Sequence, residues 1–376
     1  MHKNNLNKGF EIELFTGTSG SHIGVSSQIE KIFSNFVSEP DNRNVEYITD
    51  PSKDYKNLYY SLLQPRKDLR KWLKEIDLTI IPSSTLCFPH QNIFQRSDES
   101  NNYHKFIESN YGLSIATSSV HINLGIEELD KLFSAIRLVR CEAPLLLALS
   151  ASSPFLNGEF TGNHSQRWLQ FPKTPFETPF FLDHIHYINW IEQNINDGTM
   201  QNVRHLWSSV RPNGPQRPYI LDRLELRICD FVSNINLLLA ITAFLELRVI
   251  SLFDDFENLD PLLSSKFSLD ELKYICDQNE LKVAKDSLNA ELIDWKNGEK
   301  IICKDWIQNL LMELEISSRD LGMNHFLEPI QKVLEEGNES MKWINKYNQG
   351  LSVEDIMQSA INKMIKNEEE NNLWFK

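Results

Sequence analysis

Residues 10–15 read FEIELF, a strict alternation of apolar and polar side chains that predicts a β-strand. Side chains two positions apart in a strand project to the same side, so Glu11 and Glu13 lie together on one face. The opposite face carries phenylalanine, isoleucine and leucine, which suit a core. This first strand therefore predicts a sheet with one packed face and one polar face.

Two later stretches, VHINL and LELRI, repeat the alternation. The first places His121 and Asn123 on one face, and the second does the same for Glu225 and Arg227. Strands with one packed face and one wet face are typical of antiparallel sheets. The sequence thus predicts an α+β fold, in which an antiparallel sheet has an open polar face and is backed by helices.

Apolar residues at spacings of three and four predict the helices. A long helix over residues 126–149, with a kink expected at Pro144, is predicted to back the sheet. The last third of the chain reads as almost wholly helical, with segments at 269–279, 304–318, 326–336 and 353–366. We therefore expect a single catalytic domain over residues 1–376, with a sheet-bearing core at 1–250 and a mainly helical C-terminal part at 251–376.

The chain carries 38 basic and 52 acidic side chains, a formal net charge of −14. Bulk charge of this sign argues against nucleic acid as a partner, and an anionic substrate would need metal ions or local arginines to neutralise it. The most apolar run, residues 237–245, is too short to span a bilayer, and the N-terminus lacks the apolar core of a signal peptide. We therefore expect a cytoplasmic protein without a membrane partner; whether it is a monomer or a homodimer stays open.

The cysteines are scattered and form no CxxC pair, which argues against a zinc site or a disulfide framework. We expect reduced, partly buried thiols at all five positions, Cys87, Cys141, Cys229, Cys276 and Cys303. Strict alternation places Cys229 on the polar face with Glu225 and Arg227, and we expect that it is not a nucleophile.

The polar face has the chemistry of a metal site. Hard cations such as Mg²⁺ take carboxylate oxygens, so Glu11, Glu13 and Glu225 could hold one or more of them. His121 or Asn123 would complete or orient the ligand shell. The pattern alone also fits an ordinary wet sheet face, and this alternative stays open.

Arginine is the second candidate group, because a guanidinium grips carboxylates and phosphates at two points. Arginines in turn-rich or strand segments near the face are Arg167, Arg211, Arg217, Arg223 and Arg227. The two prolines in residues 210–215 predict a loop that could present Arg211 to a ligand. Taken singly, each of these arginines also fits a surface ion pair.

Three segments carry weaker signals. Residues 17–24 read as a glycine-rich loop that could close over phosphates, although they lack the lysine and spacing of a Walker A motif. The polar segment 89–102 reads as a loop or lid. His184 and His186 have no third metal ligand nearby. No GxSxG motif marks a serine nucleophile.

Several motifs resemble the second glutamate–cysteine ligase family, which groups plant-type enzymes with bacterial carboxylate–amine ligases. They are SVHINLG at 119–125, ALSASSPF at 148–155 and LELRICD at 224–230. Two further stretches, EYITDP at 46–51 and NVRHLWSSVRPNG at 202–214, resemble the cyanobacterial-type branch. The resemblance runs along nearly the whole chain and weakens after about residue 300.

The resemblance implies a glutamine-synthetase-like catalytic sheet that uses ATP and Mg²⁺. The metal ligands it implies are Glu11, Glu13, Glu46 and Glu225. Substrate or nucleotide binding would fall to His121, Asn123, Arg167 and Arg227. Arg167, Arg211 and Arg227 would be the catalytic group that offsets charge during transfer. The glycine-rich segment of the better-known bacterial ligases is missing at 46–51, which leaves Asp50 a weak candidate.

The implied reaction joins L-glutamate to L-cysteine as the first step of glutathione biosynthesis. ATP would phosphorylate the γ-carboxylate, and the amine would attack the resulting γ-glutamyl phosphate, so that ADP and phosphate are released. No covalent enzyme intermediate is needed, in keeping with the missing nucleophile motif. Two alternatives stay open: a ligase with a different amine acceptor, and a non-catalytic protein that binds glutamate or nucleotide.

Overall fold

The computed structural model describes residues 5–370 of the chain. Its main sheet has eight strands, all paired antiparallel, with the central order β3-β4-β1-β6-β10-β9 and with β2 and β5 also paired to β1. The strands of this sheet are β1 (Lys8–Thr18), β2 (Ser21–His22), β3 (Phe36–Ser38), β4 (Asn44–Ile48), β5 (Thr79–Ile81), β6 (Val120–Gly125), β9 (Val210–Asn213) and β10 (Arg223–Leu226). Two short hairpins lie outside it, β7–β8 (Phe155–Leu156, Glu159–Phe160) and β11–β12 (Glu291–Ile293, Lys300–Ile302). The predicted α+β fold with an antiparallel sheet is confirmed.

Strand β1 has the predicted two-sided character. Phe10, Ile12 and Leu14 are fully buried, whereas Glu11 and Glu13 keep partly exposed side chains. The apolar side faces helices and the acidic side stays accessible. The alternation in the sequence therefore corresponds to the two faces of the real sheet.

The segment predicted as a flexible glycine-rich loop is mostly a tight β-hairpin. Strand β1 continues through Gly17 and pairs with β2, so that Gly17 lies opposite His22. A Cβ atom at Gly17 would lie 2.1 Å from the carbonyl oxygen of Ser21, a distance no side chain tolerates. The loop prediction for residues 17–24 is therefore wrong, and Gly17 serves a close backbone approach.

The helices are α1 (Ser26–Ile32), α2 (Tyr55–Glu75), α3 (Asn102–Tyr111), α4 (Leu129–Ser150), α5 (Gln166–Gln170), α6 (His184–Asn196), α7 (Ile235–Asp254), α8 (Phe256–Leu259), α9 (Pro261–Ser264), α10 (Leu269–Asp286), α11 (Cys303–Glu313), α12 (Glu315–Asp320), α13 (Glu328–Glu336), α14 (Glu339–Asn348) and α15 (Val353–Glu369). Helix α4 packs against β9, β10, α7 and α10 and is buried along almost its whole length. It runs as one helix through Pro144 to its end. The predicted backing helix is thus the centre of the layer behind the sheet.

Helix α7 is longer than the apolar run in the sequence suggested. It has 20 residues and a mean hydropathy of 1.9, so by length and composition it is the one helix of the described residues that could cross a membrane. However, 83% of its most apolar window is buried inside the protein. The run 237–245 is thus part of a longer apolar helix, and burial among other elements places α7 as a core helix.

A buried ion pair ties the start of β1 to α7. Lys8 Nζ lies 2.9 Å from Glu246 Oε2, and both side chains are fully buried. The hydroxyl of Tyr55 donates to the same carboxylate at 2.7 Å. Burial lowers the pKa of Lys8, and Glu246 opposes that shift. These contacts hold β1 over its supporting helix.

The C-terminal part is mainly helical, as predicted, with the β11–β12 hairpin and helix α14 in addition. Part of it packs against the far end of β1. Trp343, Ile356 and Met357 join Phe15 and Phe88 in a second hydrophobic cluster beyond Glu13. Helices α14 and α15 therefore close one end of the polar face. The division at residue 250 stays a prediction.

Candidate active site

The acidic residues predicted from separate strands lie side by side on the polar face. Glu13 on β1 is opposite Glu46 on β4, and Glu11 on β1 is opposite His121 on β6. His121 Nδ1 lies 3.0 Å from Glu11 Oε2, and its Nε2 lies 3.8 Å from Glu13 Oε1. The hydroxyl of Ser119 donates to Glu13 at 2.7 Å. Antiparallel register thus brings together side chains from three segments that are distant in sequence: β1, β4 and the start of β6.

Two groups of side chains on this face could hold a metal ion. One is Glu11, Glu46 and His121, and the other is Glu13, Glu39 and Glu46, with the ligand atoms of each group within 4.8 Å of one another. Glu46 belongs to both groups. A set of carboxylate oxygens with one imidazole suits a hard cation such as Mg²⁺. We call Glu11, Glu13, Glu39, Glu46 and His121 the acidic cluster.

The pKa values of the acidic cluster reflect burial and the crowding of its carboxylates. Burial, followed by the neighbouring Glu39, Glu11 and Glu13, raises the pKa of Glu46 well above its ordinary value. Burial and Glu13 raise the pKa of Glu39 to about 8. Burial and Glu225 also raise the pKa of Glu11, but His121 and Arg227 outweigh them and the net pKa is lowered. A bound cation would relieve the repulsion among these carboxylates.

Glu39 was missed by sequence reasoning. It follows the short strand β3, which shows no long alternation, and it reaches the cluster because β3 and β4 form an antiparallel pair next to β1. An acid close to a turn is common and carries no specific signal. The local sequence therefore gave no reason to select it.

Glu225 lies on the same face but has cationic partners. Arg211 grips it at two points, with Nε 2.8 Å from Oε2 and Nη2 3.0 Å from Oε1. Asn213 donates to Oε2 at 2.7 Å, and Arg227 Nη1 donates to Oε1. Burial raises the pKa of Glu225, but Arg211 and Arg227 outweigh it and hold the pKa well below its usual value.

The oxygens of Glu225 are occupied by arginine donors. The side chain is fully buried, and both oxygens accept hydrogen bonds from arginine. Among the described residues it belongs to neither group of potential metal ligands. Its assignment as a metal ligand stays a prediction, and its observed contacts are those of an anchor for arginines.

Arg211 lies on a strand rather than on the predicted loop. Residues 210–213 form β9, which pairs with β10 at the edge of the sheet. An edge strand tolerates the missing donor of Pro212. Arg211 is 6% exposed and also donates to the carbonyl groups of Arg204 and Leu206. The loop prediction is wrong, and so is the surface ion pair as an alternative for this residue.

Arg227 lies between the acidic cluster and the Arg211–Glu225 pair. Its Nη1 donates to Glu225 and lies 3.4 Å from Nδ1 of His121. Burial lowers the pKa of Arg227, but Glu225 and Glu11 outweigh it and raise the pKa. Arg227 is therefore firmly cationic and sits where the charges of opposite sign meet.

Arg217 is a further cation at this end of the face. Its Nη1 lies 3.9 Å from Glu225 Oε2 and, within residues 5–370, makes no hydrogen bond although it is buried. Arg223 donates to Asn123 Oδ1 at 3.3 Å and pairs with Asp222. Asn123 in turn donates to Glu11 at 3.2 Å. Arg217 thus has a donor available for an anionic ligand.

Arg167 does not point freely into the face. Its side chain is 2% exposed, and it donates from Nη1 to the carbonyl of Ile228 and from Nη2 to the carbonyl of Arg227, both at 3.0 Å. It also lies 3.7 Å from Asp230. Direct contact between Arg167 and a substrate stays a prediction, but the observed contacts are those of a backbone support.

The cysteines are all buried and free of disulfides. The alternation placed Cys229 on the polar face, and this is wrong: strand β10 ends at Leu226, and the Cys229 thiol lies 3.9 Å from the carbonyl of Leu146 on α4. Burial raises the pKa of Cys229 to about 12, which fits an inert thiol. His184 and His186 lie on α6, and no group of potential metal ligands in the described part of the chain includes them.

Comparison with known sequences decides the family. Residues 8–366 match the family described as glutamate–cysteine ligase family 2. The chain belongs to this family. Curated relatives whose names assign them provisionally to glutamate–cysteine ligase 2 include one from Sorangium cellulosum, 24% identical over 64% of this chain and 62% of the relative. Another, from Gloeobacter violaceus, is 26% identical over 62% of this chain and 60% of the relative. The match spans about three fifths of the length of these relatives.

Solved structures of low sequence identity share the fold. The glutamate–cysteine ligase of Francisella tularensis, in complex with AMP, superposes with a TM-score of 0.75 at 16% identity, over 99% of this chain and 90% of that one. A bifunctional glutathione synthetase from Pasteurella multocida gives 0.72 at 14% identity, over 96% and 53% of the two chains. These likenesses concern the fold and confirm the sheet-and-helix architecture of the family member described here.

Proposed function

We propose that this protein is an ATP-dependent ligase that joins the γ-carboxylate of L-glutamate to the amine of L-cysteine. The reaction passes through a γ-glutamyl phosphate intermediate, releases ADP and phosphate, and is the first step of glutathione biosynthesis in the cytoplasm. The observation that carries this proposal is the acidic cluster placed beside the arginines on one sheet face. Membership of glutamate–cysteine ligase family 2 supports it.

The chemistry requires activation of a poor acyl donor, since oxide leaves a carboxylate badly. Transfer of the γ-phosphoryl group to the carboxylate creates a good leaving group, which the amine then displaces. The protein positions the reactants and neutralises negative charge, so no nucleophilic side chain is needed. The buried cysteines and the absent nucleophile motif agree with this requirement.

The acidic cluster fits Mg²⁺. Glu11, Glu13, Glu39 and Glu46 would supply oxygens and His121 a nitrogen. Burial and neighbouring carboxylates raise the pKa values of Glu39 and Glu46, and this crowding of acids favours a cation. Bound there, Mg²⁺ would supply positive charge that offsets the negative charge of the nucleotide phosphates. Asn123 holds Glu11 through its amide and thereby orients one ligand.

The arginines have different tasks on this face. Arg227 is next to both the acidic cluster and Glu225, so it offsets charge on the transferring phosphoryl group. Arg211 acts through Glu225, which it holds in place for Arg227. Arg217 keeps an unused donor at Nη1, which suits the carboxylate of an amino-acid substrate. Asp50 is exposed and outside this arrangement.

The release of ADP with each amino acid added in turn tests the proposal. We expect full rate only with magnesium, glutamate and cysteine together. Equal efficiency with alanine or aspartate in place of cysteine would leave a ligase for a different amine acceptor. Nucleotide binding without ADP release under any combination would identify a non-catalytic binding protein instead.

Hydroxylamine tests the intermediate. It is small and strongly nucleophilic, so it should replace cysteine and trap the acyl phosphate as γ-glutamyl hydroxamate with release of ADP. Both products should vanish in Glu11→Gln, which removes a proposed ligand. Release of AMP and pyrophosphate would instead point to acyl-adenylate chemistry and contradict the mechanism.

A further inference from the structure

The buried carboxylate of Asp230 accepts hydrogen bonds from several polar donors. Asp230 is fully buried, and its Oδ2 accepts from the backbone N–H of Ser152 at 2.9 Å and from the hydroxyl of Ser153 at 2.7 Å. Its Oδ1 accepts from the hydroxyl of Ser165 at 2.9 Å and lies 3.7 Å from Arg167 Nη1. A buried charge is costly unless it is paired and hydrogen-bonded, and Asp230 meets both conditions.

The same serines fix the backbone that carries Arg167. Ser165 caps the N-terminus of α5, and the N–H of Arg167 donates to the hydroxyl of Ser153 at 3.1 Å. Arg167 is therefore held at its main chain by Ser153 and at its guanidinium by Asp230. Its side chain has little freedom to reach a ligand.

The guanidinium of Arg167 holds the backbone of Arg227. Strand β10 ends at Leu226, so the carbonyl groups of Arg227 and Ile228 lie beyond the regular ladder. Arg167 donates to both of them, and the N–H of Arg227 donates to the carbonyl of Ser209 at 2.8 Å. Arg227 is thus fixed on both sides of its Cα atom, and its side chain leaves toward Glu225 and His121.

We propose that Asp230, Ser153, Ser165 and Arg167 form a clasp that positions Arg227 for phosphoryl transfer. The proposal rests on the function proposed above for Arg227, and it gives Arg167 an indirect role in place of substrate contact. A displacement of about 1 Å in a charged group at a reacting centre costs on the order of a hundredfold in rate, so a backbone support matters.

A double-mutant cycle between Arg167→Lys and Arg227→Lys tests the clasp. Lysine keeps the charge but cannot donate to two carbonyl groups in a fixed geometry. We expect Arg167→Lys to lower kcat for ADP release roughly ten- to a hundredfold, with KM for glutamate and cysteine little changed. In an Arg227→Lys background the same change should lower kcat no further, because its effect passes through Arg227.

Arg137→Lys is the matched control. Arg137 is also buried, pairs with an acid, Asp260, and donates to the backbone carbonyl groups of Phe181 and Leu182, but it lies on α4 behind the sheet. Its replacement should lower thermal stability by a comparable amount and leave kcat near that of the wild type. Its effects and those of Arg227→Lys should combine independently.

Hydrogen exchange gives a readout that needs no turnover. Arg167→Lys and Asp230→Asn should both speed amide exchange in peptides that contain residues 227–230, and Arg137→Lys should leave exchange there unchanged. If the wild type shows no ADP release with glutamate and cysteine, the proposed function fails while this measurement still decides the clasp.

Two results would overturn the clasp. One is a multiplicative loss of kcat in the double mutant, which would mean that Arg167 and Arg227 act independently. The other is a selective rise in KM for one substrate in Arg167→Lys with unchanged exchange at 227–230, which would return Arg167 to direct substrate binding.

Discussion

The same substitution at two acids of the polar face should have opposite effects on stability. Glu225→Gln and Glu46→Gln both remove one negative charge and keep the shape of the side chain. Glu225 is fully buried and gripped by arginines, whereas Glu46 is surrounded by other carboxylates. We expect the first variant to unfold at a lower temperature than the wild type, and the second at an equal or higher temperature when magnesium is absent.

The loss at Glu225 follows from its partners. Removing one member of a buried charged pair costs about 3–5 kcal/mol, because the remaining charge is left buried and unpaired. An unfolding entropy of about 2.1 cal/mol/K per residue gives about 0.8 kcal/mol/K for this chain of 376 residues. A loss of about 3 kcal/mol therefore lowers Tm by roughly 4 °C.

The effect at Glu46 has the opposite sign and depends on pH. Its folded pKa lies well above the ordinary value of 4.5, because of burial and then Glu39. Between 4.5 and the folded pKa, the native state binds more protons than the unfolded state, so the stability of the metal-free wild type falls as pH rises. Glutamine does not titrate, so the Tm of Glu46→Gln relative to the wild type should rise with pH.

Thermal unfolding at about pH 6 and about pH 8.5, with and without magnesium chloride, measures both effects. Magnesium should raise the Tm of the wild type and much less that of Glu46→Gln. Glu30→Gln, at an exposed acid of α1, is the control and should change neither quantity. Tm shifts of the same sign in Glu225→Gln and Glu46→Gln would refute the reasoning from neighbouring charges.

Three further outcomes are expected. Glu39→Gln should raise the magnesium concentration for half-maximal activity roughly tenfold or more, since it removes a proposed ligand. Glu30→Gln should leave that concentration unchanged. If Glu39→Gln and the wild type need the same magnesium concentration, Glu39 is excluded from the metal site. Arg217→Gln should raise KM for one amino-acid substrate roughly ten- to a hundredfold through loss of a charge-assisted hydrogen bond. Unchanged KM values would show that the unpaired donor of Arg217 contacts no substrate. Cys229→Ser should keep most of its activity, because burial raises the pKa of that thiol to about 12; a folded but inactive variant would count against this.

Local periodicity predicted the part of the site that lies on long strands. Glu11, Glu13, His121 and Asn123 were found because alternation over five or six residues reports which side chains share a face. The edge strand β9 gives no such signal. Residues 210–213 contain a proline, which predicts a loop, although an edge position lets them pair with β10.

Past the end of a strand, alternation also misled. Cys229 was placed with Glu225 and Arg227 by counting, but the ladder stops at Leu226 and the thiol turns toward α4. Register, strand ends and edge positions depend on neighbouring strands, so a single segment does not encode them.

The sequence by itself determined the two-sided sheet, its backing helix and the helical C-terminal part, because these follow from periods of two and of three to four residues. Only the tertiary structure decided which charges meet. It placed Glu39 beside Glu13 and Glu46. It also paired Glu225 with the guanidinium of Arg211 and directed Arg167 toward backbone carbonyl groups. The physical reason is that a charged side chain takes its role from the distance, burial and sign of partners brought together by folding, and these are set by long-range packing.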